Sequence, residues 1–136
     1  MILMKNLLLL CLLCLATQGF SQTDSSISTV SFVQIQDDHR AETFFYFENN
    51  WKVLRLMALK KDYIKSFQFL ETPYSEDAPF HIILITTYQD STQYNLREDH
   101  FTELIETKGP LKLLNDLKPG DFRKTLYSKE HVRAWH

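Results

Sequence analysis

The stretch from Phe80 to Tyr88 (FHIILITTY) constrains the fold of this chain most, because it is apolar or β-branched on both alternations. Successive side chains of a strand point to opposite faces of the sheet. A strand with one solvated face would carry polar residues at every second position. We therefore predict that Phe80 to Tyr88 is a central strand whose two faces are both covered.

Three more strands and two long helices are predicted around this strand. The apolar positions of the first helix step by three and four, as on one face of an amphipathic helix. Gly109-Pro110 ends the second helix, and Pro119-Gly120 ends a short helical piece. The predicted order is a strand Thr29–Gln36, a helix from Ala41 to about Lys61, a strand Tyr63–Glu71, the central strand, a helix that follows the turn Gln89–Thr92 and runs to about Thr107, a helical piece Leu111–Leu117 and a strand Phe122–Ser128.

The order βαββαβ is that of the ferredoxin-like α+β fold, an antiparallel four-stranded sheet with two helices on one face. On the second strand Phe67 and Phe69 point one way, and Ile64 and Leu70 the other. Two helices cover only one face of such a sheet. Since apolar burial is worth ~25 cal/mol per Å², an apolar second face left in water would cost many kcal/mol. We therefore predict a homodimer in which two sheets pack face to face.

The N-terminus has the pattern of a secretory signal peptide, predicted over residues 1–21. Lys5 is its only charge, Leu7 to Ala16 is an apolar run, and Gly19 and Ser21 are small residues near the cleavage point. This run is shorter than the roughly 20 residues that span a bilayer. No small residue precedes either cysteine, which argues against a lipoprotein. We expect a protein exported to the periplasm or beyond the cell, with no membrane segment after cleavage.

Cleavage leaves 136 − 21 = 115 residues, which is one domain. We predict a disordered leader at 22–28, a single domain at 29–130 and a C-terminal tail at 131–136. Both cysteines, Cys11 and Cys14, lie in the signal peptide. The mature chain therefore has no disulfide, thiol nucleophile or thiolate metal site.

The sequence contains the stretches Asn50-Trp51-Lys52, Leu54-Arg55, Ala58, Tyr63–Ser66 and Ile83–Tyr88. In these stretches it resembles uncharacterised exported bacterial proteins. In element order, length and two-sided sheet it resembles the dimeric α+β barrel superfamily, which includes antibiotic-biosynthesis monooxygenases, haem-degrading monooxygenases, and EthD-like and NIPSNAP-like proteins. The resemblance covers roughly residues 29 to 130. It implies a dimeric barrel and, in some members, a cavity for small apolar ligands between helix and sheet.

Four residues are candidates for the lining of such a cavity: Trp51, Arg55, Tyr88 and Phe101. Trp51 lies on the apolar stripe of the first helix, where core packing is the more ordinary role. Arg55 could clamp a carboxylate, but a solvated or helix-paired arginine is the favoured interpretation. Tyr88 ends the central strand, and Phe101 lies on the apolar side of the second helix.

His81 and His100 are the candidates for proton transfer. His81 adjoins the apolar run of the central strand, although hydrogen-bonded structure is its more ordinary role. Haem-degrading members use an Asn on the first strand, a Trp near the cleft and a His on a helix. Gln34 and Gln36 occupy the first strand here, so only His100 could match, and that activity is not carried over. The cofactor, if any, stays open.

Other classes of site find no support in the sequence. Asp37-Asp38-His39 lacks a third ligand at a usable spacing, so we predict no metal site. The third strand lacks the glycines and basic lead residue of RNA-recognition domains. Without Lys5 the chain has 14 basic and 17 acidic residues, a net charge of −3. We therefore predict no nucleic-acid partner.

Three functions fit these observations, and whether the protein is an enzyme stays open. The first is binding of a small apolar or aromatic ligand in a helix–sheet cavity. The second is a cofactor-free or haem-linked monooxygenase or isomerase. The third is a structural dimer without a ligand site. A binder needs a pocket of roughly 300 Å³ or more, and an enzyme also needs a titratable group within that pocket.

Overall fold

The computed structural model describes residues 24–135; the predicted signal peptide lies outside this range. Within it, no helix is both long enough and apolar enough to cross a membrane. The elements in chain order are β1 (Ile27–Ile35), α1 (Arg40–Tyr46), a π-helical turn (Phe47–Trp51), α2 (Lys52–Lys60), β2 (Ser66–Glu71), β3 (Ile82–Tyr88), α3 (Ser91–Asn95), α4 (Arg97–Lys108), α5 (Pro119–Phe122) and β4 (Arg123–Val132).

The four strands form one sheet in the order β2-β3-β1-β4, and every neighbouring pair is antiparallel. This order confirms the predicted ferredoxin-like α+β fold, which is the fold of the superfamily that the sequence resembles. The central position of β3 between β2 and β1 confirms the prediction made from its two apolar alternations.

One face of the sheet packs against the helices and holds the core. On β3 this face carries Ile82, Leu84, Thr86 and Tyr88, all of them buried. Phe47 of the π-helical turn packs with Ile82 and Leu84. A second cluster joins helix α2 and the α3–α4 region to the other end of the strands. Its buried members are Ile27, Ala58, Ile64, Tyr88, Tyr94 and Leu104.

The opposite face of the sheet is also apolar at its centre. Val30 of β1 lies opposite Ile85 of β3, and Phe32 lies opposite Ile83. All four side chains are only partly buried in the single chain. Leu70 and Tyr127 flank them on the outer strands with 40% and 57% of their surfaces exposed. The chain therefore has an apolar sheet face that its own long helices do not cover.

The first and last strands, β1 and β4, both extend beyond their predicted bounds. Strand β1 begins at Ile27, inside the stretch predicted as leader, and the Lys65 ammonium bonds to Asp24 and Ser26 just before it. Strand β4 continues to Val132, inside the predicted tail, where Val132 pairs with Ser28. These pairings are non-local, which is why local composition did not indicate them.

Two further predictions are corrected by the structure. Strand β2 begins only at Ser66, so Ile64 lies before the strand and is buried in the core, not on the face opposite Phe67. Leu111 to Leu117 is not a helix. Its backbone is held by the Asn50 side chain, which accepts from the Lys112 N–H at 2.8 Å and donates to the Lys112 carbonyl at 2.7 Å.

The two long predicted helices are confirmed, each with an interruption. A π-helical turn separates α1 from α2, and Asn49 and Asn50 both donate side-chain hydrogen bonds to carbonyls four residues earlier. The second helix is divided at Leu96 into α3 and α4. Asp90 caps the start of α3 by accepting from the Gln93 N–H at 2.9 Å, and Gly109, with φ of 82°, ends α4.

Candidate functional site

Arg55 lies at the centre of the space between the helices and the sheet. Its guanidinium carbon is 4.4 Å from the ring centre of Trp51 and 4.5 Å from that of Phe101. The cation is thus stacked between an aromatic ring of the first helical region and one of α4. Such cation–π contacts offset part of the cost of removing a charge from water. Three of the four predicted ligand-binding residues therefore meet in one stack.

Arg55 has no acidic partner within residues 24–135. Its one hydrogen bond among the described residues runs from Nε–H to the Thr86 Oγ1 at 3.3 Å. Burial lowers the pKa of Arg55 to about 10, partly opposed by the nearby hydroxyl groups of Tyr88 and Tyr46. The favoured sequence interpretation of Arg55 as a solvated or helix-paired arginine is therefore wrong.

Two adjoining chambers meet at Arg55. The sheet chamber, of about 310 Å³, lies between the strands and helices α2 and α4. The helix chamber, of about 240 Å³, lies between α2, α4 and the segment after Gly109. We call the two together the Arg55 cavity. Both chambers are lined by Leu54, Arg55 and Ile105.

Tyr88 supplies a further polar group of the sheet chamber. Its ring packs edge-on against Tyr94 at 5.4 Å. Within the described residues its hydroxyl has no hydrogen-bond partner, yet it is not sealed from the chamber. Burial raises the pKa of Tyr88, and the positive charge of Arg55 partly opposes this. The Tyr88 hydroxyl is therefore protonated at neutral pH and available to donate.

A polar network closes the rim of the sheet chamber on the side of β4. The Tyr94 hydroxyl donates to the Glu130 carboxylate at 2.8 Å, and the Arg97 guanidinium lies 3.4 Å from the same carboxylate. Arg97 also stacks on the Tyr94 ring at 4.0 Å. These charges are paired with one another, unlike that of Arg55.

Trp51 and Lys108 belong to the wall of the helix chamber. Trp51 packs edge-on against Phe67 and Phe69 of β2 at 5.7 and 6.2 Å, so it serves both the core and the cavity wall. The Lys108 ammonium donates to the Asn50 side chain at 2.9 Å and to the Pro110 carbonyl at 3.2 Å. Lys108 therefore ties the end of α4 to the π-helical turn.

His81 lies at the other end of the sheet, in a separate surface pocket of about 410 Å³ with Tyr74, Asp37 and Asp38. Its Nδ1 accepts from the Ile35 N–H at 3.1 Å, so the neutral ring carries its proton on Nε2. Its ring centre is 5.4 Å from that of Tyr74. The structure does not bring His81 together with Arg55, Tyr88 or Phe101.

His100 packs on the outer flank of α4 and lines neither chamber. Its ring stacks on Tyr63 at 3.6 Å, and the Tyr63 hydroxyl donates to the Glu103 carboxylate at 2.8 Å. The Nδ1 of His100 is buried without a hydrogen-bond partner in the described range. Proton-transfer roles for His81 and His100 stay predictions, and neither histidine contacts the Arg55 cavity.

Asp37 and Asp38 occupy a tight turn between β1 and α1, with φ angles of 47° and 58°. His39 lies 3.7 Å from Glu42 on the first helix. Between residues 24 and 135, no three His, Cys, Asp or Glu side chains are grouped so as to hold a metal ion.

Several residues of the cavity were not singled out from the sequence. Arg97 and Lys108 line it from α4, and Thr86 of β3 accepts the hydrogen bond from Arg55. Thr86 carried a usable signal, because it lies two residues before Tyr88 and therefore on the same face of the strand. Arg97 carried a signal too, because helical spacing puts it on the same side of the second helix as Phe101. Lys108 carried none.

No protein-family model matches this chain, and the search of curated proteins finds no match. Solved structures of similar fold are found. HapK from Hahella chejuensis is 11% identical, with 79% of this chain and 92% of that one covered and a TM-score of 0.47. A protein of unknown function from Bacteroides thetaiotaomicron is 14% identical, with 79% and 99% covered and a TM-score of 0.47.

A third similar structure is a dimeric protein of unknown function and ferredoxin-like fold from Bacteroides fragilis. It is 8% identical, with 78% of this chain and 96% of that one covered and a TM-score of 0.42. The fold stated for the present chain rests on its own strand order and register.

Proposed function

We propose that this protein binds a small aromatic or apolar molecule in the Arg55 cavity. The observation that carries the proposal is the pair of adjoining chambers, which the helices and the sheet leave unfilled. Ligand pockets measure about 300–1,000 Å³ and combine an apolar wall with a few polar groups. The sheet chamber alone reaches the lower end of this range, so the ligand is small.

The helix side of the cavity is apolar and suits a flat ligand, while β1 and β4 line the sheet chamber with polar side chains such as Thr29, Ser31 and Ser128. Trp51 and Leu54 come from the first helical region, Phe101 from α4 and Leu111 from the segment beyond it. Aromatic rings that meet edge-on or offset add to the energy of apolar burial. The open chambers beside these groups leave space for a ligand, which supports binding over a purely structural dimer.

The protein acts after export, in the periplasm or outside the cell. The charge and apolar run of its first 21 residues support this part of the proposal. A catalytic role is not included, because His81 and His100, the two proton-transfer candidates, lie outside the cavity.

Binding is tested with N-phenyl-1-naphthylamine, a neutral aromatic probe whose fluorescence rises in apolar surroundings. The mature chain from residue 22 is titrated with the probe, and saturable enhancement is expected. Ile105 lines both chambers yet is 54% exposed, so Ile105→Trp fills the cavity from its rim without disturbing the core. We expect this variant to lose at least tenfold in probe affinity.

The matched control is Glu106→Trp, one position further along α4 at an exposed site outside both chambers. It adds the same ring to the same helix and is expected to bind like the unmodified chain. Absence of saturable binding, or equal binding by both tryptophan variants, contradicts a ligand site in the Arg55 cavity.

A further inference from the structure

A charge in the interior of a protein is ordinarily paired or hydrogen-bonded, because its removal from water is costly. Arg55 departs from this rule. A guanidinium has five N–H donors, and within residues 24–135 only the Nε–H of Arg55 is engaged. Its two terminal nitrogens, with four N–H groups between them, are not sealed in the protein and adjoin the chambers.

Two aromatic rings lie against the guanidinium of Arg55. The ring centres of Trp51 and Phe101 are 4.4 and 4.5 Å from the guanidinium carbon. The N–H bonds lie in the plane of the guanidinium and point away from its carbon, and Arg55 lines both chambers. A planar fork of parallel N–H donors matches the two oxygens of a carboxylate.

The other charges near the cavity do not satisfy Arg55. Glu130 accepts from Tyr94 and lies within 3.4 Å of Arg97, and Glu98 lies 3.7 Å from Arg97. Lys108 is engaged by Asn50 and by the Pro110 carbonyl. Lys129 also lines the sheet chamber without an acidic partner in the described range, but it is exposed to solvent. Arg55 differs from both lysines because it lies against two aromatic rings and has a single hydrogen bond within the described residues. Tyr88 adds a hydroxyl donor beside it.

We propose that Arg55 is the counter-ion for the carboxylate of an aromatic ligand, with the ring of that ligand held against the apolar wall of the cavity. This inference rests on the proposed function and names its ligand class. The lowered pKa of Arg55, about 10, leaves the guanidinium charged at neutral pH. A ligand carboxylate bound at the edge of the guanidinium supplies the ion pair that Arg55 does not make within the described residues.

The test compares two probes of the same shape, 2-naphthoate and the neutral 2-naphthamide. Binding is followed by the fluorescence of Trp51 in a Trp135→Phe background, because Trp135 is the other tryptophan and is 98% exposed. Hydrogen bonds to charged groups contribute about 10–100-fold in affinity. We expect naphthoate to bind more tightly than naphthamide by that factor at pH 7.

Arg55→Met keeps the length and apolar surface of the side chain and removes its charge. We expect this variant to bind the two probes equally, with naphthamide affinity changed by less than about threefold. Arg40→Met is the matched control, since Arg40 is a surface arginine paired with Glu71 at 2.6 Å. It is expected to keep the preference for naphthoate.

The outcomes separate the two proposals. Equal affinity of the unmodified chain for naphthoate and naphthamide overturns the role of Arg55 and leaves the binding function standing. A preference for naphthoate that persists in Arg55→Met also overturns it. Failure of both naphthalene probes and of N-phenyl-1-naphthylamine overturns the binding function itself. Circular dichroism checks that Arg55→Met is folded. If it is not, the comparison of the two probes on the unmodified chain still tests whether the site prefers a carboxylate.

Discussion

At the scale of single residues, the burial of the Arg55 charge lowers the stability of the fold. Arg55 is partly buried, its pKa is lowered by burial, and it has no acidic partner in the described range. Replacement of a buried charge by an apolar side chain of similar volume is often neutral or stabilising. We expect Arg55→Met, without ligand, to raise the free energy of unfolding by about 1 kcal/mol. Urea denaturation measures this, and a loss of stability of that size would instead make Arg55 a structural residue.

Asp24 gives a pH prediction near the start of β1. The Ser26 hydroxyl and backbone N–H, followed by Lys65, lower its pKa from 3.8 to about 2. A carboxyl whose pKa is lower in the folded state stabilises the fold above the unfolded value, and that contribution disappears as pH falls. We expect the unmodified chain to lose stability between about pH 4 and pH 2 more steeply than Asp24→Asn. Asp77→Asn, in an exposed loop, is the control, and identical acid unfolding curves for all three would contradict the assignment.

The residues of the site were predictable only in part. Trp51 and Phe101 could be placed by helical periodicity and Tyr88 by strand alternation, because each period reports which side chains face the interior. Sequence patterns could not predict whether Arg55 has an acidic partner, because that depends on how three separate elements pack around it. Local sequence patterns also could not predict that His81 and His100 lie outside the cavity.

At the scale of elements, the π-helical turn and the segment beyond α4 form one unit through Asn50. This side chain is 2% exposed and makes four hydrogen bonds, to Tyr46, Lys108 and both backbone groups of Lys112. It thereby holds the wall of the helix chamber. π-helical turns are frequent at functional sites, and here the turn delivers an amide side chain to a segment more than 60 residues away.

We expect Asn50→Ala to lower the free energy of unfolding by about 2–3 kcal/mol, because it removes four hydrogen bonds and leaves partly buried backbone groups without their partner. Amide hydrogen exchange at Lys112 should accelerate as the segment is released. Asn49→Ala is the matched control, since the Asn49 side chain bonds only to the Phe45 carbonyl at 2.9 Å within the described residues. Equal exchange at Lys112 in the two variants would contradict the role of Asn50.

The sequence predicted which segments form strands and long helices, but it did not predict where each of them begins and ends. An apolar and β-branched run on both alternations identified β3, and the three- and four-residue steps identified the first helical region. The helix predicted at Leu111–Leu117 was wrong because its local propensity is overridden by the hydrogen bonds from Asn50. The extension of β4 to Val132 depends on pairing with β1, which no local pattern reports.

At the scale of the whole molecule, the two faces of the sheet have different tasks. The helix-covered face holds the core and the Arg55 cavity, while the other face presents Val30, Phe32, Ile83 and Ile85. Polar side chains continue this second face toward one end, where the Ser28 hydroxyl lies 2.8 Å from that of Thr87. An apolar centre with a polar margin is typical of an interface between subunits. We expect a second copy of the chain to cover it.

Sedimentation equilibrium of the chain from residue 22, at micromolar concentration, tests this most directly. We expect twice the mass of one chain, and the mass of one chain for Ile85→Glu, which places a charge at the centre of the uncovered face. Leu56→Glu, at a 51% exposed position of α2, should remain dimeric. A folded, unmodified chain that sediments with the mass of a single copy would contradict a face-to-face dimer.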